Sequence, residues 1–157
     1  MSAQQIFGLQ FVLSLFLGTL LARWYVWPPL ASLPVRRALI PLLFVHATRY
    51  VGLVFLVPTV VPPGVPDAFA KPAAYGDLLT GLLAILGLLA LRRDWPGALA
   101  LAWLVNVVGV VDLLYAVSQG ARLGVQLGAA YYIPILAVPV LLITHAMMFA
   151  LLGRRRA

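Results

Sequence analysis

The sequence predicts an all-α integral membrane protein: a bundle of five transmembrane helices, N-terminus outside and C-terminus cytoplasmic. Three observations carry this. Of the 157 residues 64% are hydrophobic and 10% charged, with a mean hydropathy of +1.05, and a soluble domain of this size has too little interior to hide so much apolar side chain. The apolar residues fall into five runs, separated by breaks rich in proline, glycine or arginine. The basic residues, finally, are shared very unequally between the two ends of those runs.

The first run, about 6–26, has no basic residue before it and Arg23 at its end, the reverse of a cleaved secretory signal. It is read as a retained helix, with Gly8, Phe11, Leu15, Gly18 and Ala22 on one stripe for close packing. Trp24, Tyr25 and Trp27 mark a membrane interface, and Pro28-Pro29 are expected to stop the helix. The second helix, about 35–57, follows Arg36-Arg37 closely and contains Pro41. Residues 58–74 hold Pro58, Pro62, Pro63, Pro66 and Pro72 and are expected to form a stiff outer loop. The third helix, about 75–91, would span only about 25 Å and so stand nearly upright. Arg92 to Gly97 make a polar turn into the fourth helix, about 98–117, and a glycine-containing loop leads to the fifth, about 131–152. The whole chain reads as one transmembrane domain.

Eight arginines (Arg23, Arg36, Arg37, Arg92, Arg93, Arg154, Arg155 and Arg156) fall at one end of these spans, and only Lys71 and Arg122 at the other. The positive-inside rule therefore places the N-terminus outside. The excess of arginine over lysine is that of a GC-rich bacterial gene, so a bacterial cytoplasmic (inner) membrane is the expected location. The net charge of +7 does not imply nucleic acid, because the basic residues form no interleaved polar face. The absence of cysteine excludes disulfides, thiolate metal sites, iron–sulfur clusters and covalently attached haem. In length and number of spans the chain resembles the tryptophan-rich sensory, or translocator, proteins. That likeness is of architecture alone, for the tryptophan-rich motifs are absent and no site residue is transferred.

The second helix carries the segment Phe44-Val45-His46-Ala47-Thr48-Arg49-Tyr50. In an α-helix His46, Arg49 and Tyr50 would share one face. A guanidinium at this depth survives only with a partner, a ligand or water. Counting residues from the outer ends puts Arg49 within reach of Asp112, about 5 Å apart in depth, with Asp77 a shallower alternative. Tyr50, Asn106, Tyr115 and Tyr131 could complete a pocket in the outer half of the membrane. The alternative is a purely structural Arg–Asp pair that fixes helix rotation.

His46 and His145 lie on facing helices with depths about 6 Å apart. They suggest a bis-histidine b-type haem, or histidines each satisfied by a nearby threonine such as Thr48 or Thr144. No HxxxH or ExxH pattern is present, and no metal site is expected. The glycines form no phosphate-binding loop, and no GxSxG elbow occurs.

The leading expectation is a protein that binds or transports a small anionic or polar-headed molecule in an outward-facing pocket. Its lining would be His46, Arg49, Tyr50, Asp77, Asn106, Asp112, Tyr115, Tyr131 and His145. The expected partners are the lipid bilayer, the small-molecule ligand and, if the protein conducts anything, further copies of itself. A membrane enzyme or haem protein using His46 and His145, and a structural subunit of a larger complex, are the other classes.

Overall fold

The computed structural model describes residues 1–154 and contains five helices long and apolar enough to cross a bilayer. They are α1 (Ala3–Ser32), α2 (Val35–Leu56), α3 (Asp67–Arg92), α4 (Ala98–Leu123) and α5 (Gly128–Leu152). This is the mark of a helical integral membrane protein. Arg155 and Arg156, counted above in the basic C-terminal run, lie outside the described residues.

The connections sort to two ends. At one, the amide of Ala129 donates to the Val60 carbonyl at 3.1 Å, tying the 57–66 segment to the start of α5. At the other, Arg36 pairs with Asp94 at 3.0 Å, and Arg154 donates to the Ala31 carbonyl at 2.8 Å while lying over the Trp27 ring.

Helix α1 does not stop at Pro28-Pro29. A π turn at Ala22–Val26 inserts a residue, and both prolines then fall in the first turn of a fresh α-helical segment, Trp27–Ser32. There the missing N–H groups are tolerated. The helix is capped by Ser2 and Gln5 in a reciprocal box and buries no residue fully between Ala3 and Leu21. It approaches α5 closely at Gly18, where a Cβ would lie 2.8 Å from Ile143 Cδ1.

Helix α2 changes type partway. It is α-helical over Val35–Ala47 and a 3₁₀-helix over Thr48–Leu56. The burial follows the change, for His46, Arg49, Gly52 and Phe55 are all buried at a spacing of three, the repeat of a 3₁₀-helix. A nine-residue 3₁₀ run is unusual and needs support from outside. Glycines provide it: a Cβ at Gly81 of α3 would lie 3.3 Å from the Ala47 carbonyl and 3.2 Å from the Tyr50 nitrogen, so only glycine admits this approach without a shift.

The expected loop 58–74 is shorter and the third helix longer. Helix α3 begins at Asp67, with Pro66 as its cap residue, and Pro72 is accommodated inside it. Asp67 and Lys71 pair one turn apart at 2.6 Å. At 26 residues, α3 extends about 39 Å rather than about 25 Å. Helix α4 likewise runs past 117 to Leu123, where Gly124 in the left-handed conformation (φ 59°) ends it. Helix α5 opens with a 3₁₀ turn at Gly128–Tyr131 and a π turn at Ile133–Ala137 around Pro134, and is regular from Val138.

Beside a small cluster of Leu113, Val138 and Leu141, two larger apolar clusters fill the bundle. One, with Leu39, Leu43, Ala84, Val105, Met148 and Leu151, lies towards the 93–97 turn. The other, with Val61, Phe55, Phe69, Ala73, Ala74 and Ala130, lies towards the 57–66 segment. Along the helices, the buried polar residues His46, Arg49, Thr80, Asn106 and His145 occupy the interval between these clusters.

Candidate functional site

The site is built outward from Arg49, which is 4% exposed. Its Nε donates to Asp77 Oδ1 and its Nη2 to Asp112 Oδ2, both at 2.6 Å, so α2, α3 and α4 are joined by one guanidinium. The choice between Asp77 and Asp112 left open by the sequence is resolved as both. Nη1 donates to the Gly109 carbonyl at 2.8 Å and lies 3.5 Å from His145 Nε2. Four of the five guanidinium N–H groups are thus committed. Asp77 is deeper than expected, because α3 starts at Asp67 and places Asp77 about 15 Å along its axis.

Both carboxylates are seated against glycine. A Cβ at Gly76 would collide with the Asp112 carboxylate, and one at Gly52 with that of Asp77. A Cβ at Gly109 would lie 2.7 Å from His145 Cε1 and 3.0 Å from Arg49 Nη1. The ion cluster therefore occupies space that only glycine leaves open.

Behind Arg49 the network continues through histidine. His145 Nδ1 lies 2.7 Å from Asn106 Oδ1, and Asn106 Nδ2 donates to the His145 carbonyl at 3.4 Å. Since Nε2 faces a guanidinium donor and Nδ1 faces an amide oxygen, this network assigns the proton of His145 to Nδ1. His46 packs on the other side, with ring centroids 4.0 Å apart. The Thr144 hydroxyl donates to the Val140 or Leu141 carbonyl and so accepts from His46 Nε2 at 3.2 Å. His46 Nδ1 has no hydrogen-bond partner among the described residues. The two imidazoles are in contact, so an iron porphyrin ligated between them would require α2 and α5 to separate. As placed, the pair does not fit that cofactor.

Two of the expected lining residues stand apart. Tyr50 is 55% exposed, because the 3₁₀ geometry turns it off the 46–49–52–55 stripe. Tyr115 is 46% exposed, and its hydroxyl accepts from Gln119 Nε2 at 2.8 Å. Tyr131 is held by α1, its hydroxyl donating to Gln10 Oε1 at 2.5 Å, and it faces a cavity rather than Arg49 directly.

That cavity has a volume of about 350 Å³ and lies among α1, the last turns of α4 and the irregular start of α5. Arg49 and Asp77 are the only charged residues in its wall among the described residues; Phe7, Phe11, Phe55, Phe69 and Tyr131 supply aromatic rings, and Gln4 and Gln126 line it as well. A second cavity of about 410 Å³ lies between α2 and α5, bounded by Val45, Thr48, Gly52, Ala137 and Val140, and it too reaches Arg49 and Asp77. Sequence reasoning missed Gly52, Gly76 and the phenylalanines. The period-three placement of His46, Arg49, Gly52 and Phe55 was the available signal for the first of these.

Fold and site together define a polytopic helical membrane protein with a partly buried Arg–Asp–Asp cluster beside an apolar cavity. The chain belongs to the family described as Domain of unknown function (DUF8737), whose model matches residues 6–153. No curated protein and no solved structure matches it.

Proposed function

We propose that this protein binds a small molecule with a polar head and an apolar body, and holds it in the 350 Å³ cavity with its head at Asp77 and Arg49. One observation carries the reading: a largely apolar, aromatic-walled space of ligand size meets charged side chains at a single place. A charged cluster serving only to fix helix rotation gives no reason for a cavity to reach it from each of two sides. The second cavity, between α2 and α5, supplies a route from the lipid, which suits a ligand that partitions into membranes or is carried across them. Filling the space tests this. Ala116 lines the cavity and is half-buried, so Ala116→Trp is expected to abolish retention of small molecules seen by native mass spectrometry on the parent protein, at unchanged melting temperature. Retention of the same mass by the variant would count against the proposal.

In the same reading the cavity faces outward and the basic end faces the cytoplasm of a bacterial cell. The chain contains no cysteine, which makes single-cysteine labelling clean. In intact cells a membrane-impermeant maleimide is expected to label Ser118→Cys and to spare Ser32→Cys; the opposite pattern would reverse the orientation.

A further inference from the structure

The sequence alone makes Arg49 the natural anchor for an anion, but the arrangement of the cluster argues for the opposite charge. Its formal charge is one arginine cation against two aspartate anions, +1 − 2 = −1. Exposure is just as asymmetric: the Arg49 side chain is 1% exposed, whereas those of Asp77 and Asp112 are each 15% exposed. An anionic head would find a guanidinium with one of its five donors uncommitted and would sit beside the two carboxylates that guanidinium already pairs with. Arg49 and Asp77 both border the two cavities and Asp112 borders neither, but of the two it is the Asp77 carboxylate that is open to an incoming head, at 15% exposure against 1% for the Arg49 side chain.

The walls point the same way. Phe7 and Tyr131 pack edge to face at 5.7 Å, as do Phe55 and Phe69 at 5.6 Å, and all four rings line the cavity. Ring faces attract cations, and aromatic enclosures are a common means of holding alkylammonium groups. We infer that the ligand of this cavity is a hydrophobic cation, an amine or quaternary ammonium with an apolar body, whose charge balances the net negative Arg49–Asp77–Asp112 cluster beside Asp77. This rests on the cavity being a binding site, as proposed above.

The test compares one tail on three heads: decyltrimethylammonium, decanoate and decanol, each titrated by calorimetry into the detergent-solubilised full-length protein. The cation is expected to bind at least tenfold more tightly than either of the others. In Asp77→Asn, which keeps an oxygen for Arg49 Nε, that preference is expected to fall at least tenfold while decanol binding is retained. Asp112→Asn removes the same formal charge without touching the cavity wall, and is expected to weaken the cation in the same direction. Tighter binding of decanoate, or equal binding of all three, overturns the charge assignment and leaves the binding proposal standing. Binding of none of them overturns both. A cation preference unchanged in both asparagine variants also overturns the assignment, because it would place the ligand elsewhere.

Discussion

Arg49→Ala is expected to be the most damaging single substitution in the chain, lowering stability by about 3–5 kcal/mol, the usual cost of removing one partner from a buried ion pair. Its particular cost lies in what remains. Asp77 and Asp112 would keep two carboxylates at low exposure with no cation beside them, and the Gly109 carbonyl would lose the guanidinium donor it has besides its helical one. Lysine is not an adequate replacement. A single ammonium is a compact charge, whereas the guanidinium reaches Asp77 through Nε and Asp112 through Nη2 in a fixed fork. Arg49→Lys should therefore fall between the parent and Arg49→Ala in thermal unfolding of the solubilised protein. The decisive comparison is with the triple variant Arg49→Leu, Asp77→Asn, Asp112→Asn. If the damage comes from orphaned charges, that variant should be more stable than Arg49→Ala, although it has lost more interactions. A triple variant less stable than the single one would mean that the ion cluster supplies net stability of its own.

The same physics explains what the sequence made legible. A charge in an apolar run must find a partner, so counting depth offered Asp112 and Asp77 as alternative counterions of Arg49, although it set Asp77 too near the surface and His145 in a deeper layer. The tyrosines obey no such demand. A phenol can be satisfied at an interface or by a neighbour one turn away, as Tyr115 is by Gln119, and its position then depends on helix phase. Phase is what hydropathy does not carry. The α-to-3₁₀ change at Thr48 moves Tyr50 off the buried stripe, and its cause lies partly in another helix, at Gly81. Element ends failed for a related reason. Proline reads as a stop in sequence, yet Pro28 and Pro29 follow a π turn and Pro66 falls at the cap of α3, where a helix can accept them, while Pro72 lies in its second turn, where the Ala68 carbonyl forgoes its helical hydrogen bond. The number of spans was robust because it depends only on apolar length.

Gly76→Ala is expected to destabilise the protein by about 1–3 kcal/mol through overpacking, with a further loss from the displaced ion pair. Within a helix, replacing glycine by alanine ordinarily stabilises by about 1 kcal/mol, so the predicted sign is itself diagnostic. The reason is steric and local: the new methyl group would occupy the place of the Asp112 carboxylate. Asp112 can then only rotate away from Arg49, or α3 and α4 must move apart. Gly8 in α1 supplies the control, since a Cβ there meets nothing within 4 Å, and Gly8→Ala should be neutral or stabilising. Coupling completes the argument. In an Asp112→Ala background the carboxylate is gone, and the added cost of Gly76→Ala should shrink towards zero. If Gly76→Ala costs as much with Asp112 removed as with it present, the glycine serves helix packing generally and not the seating of this carboxylate.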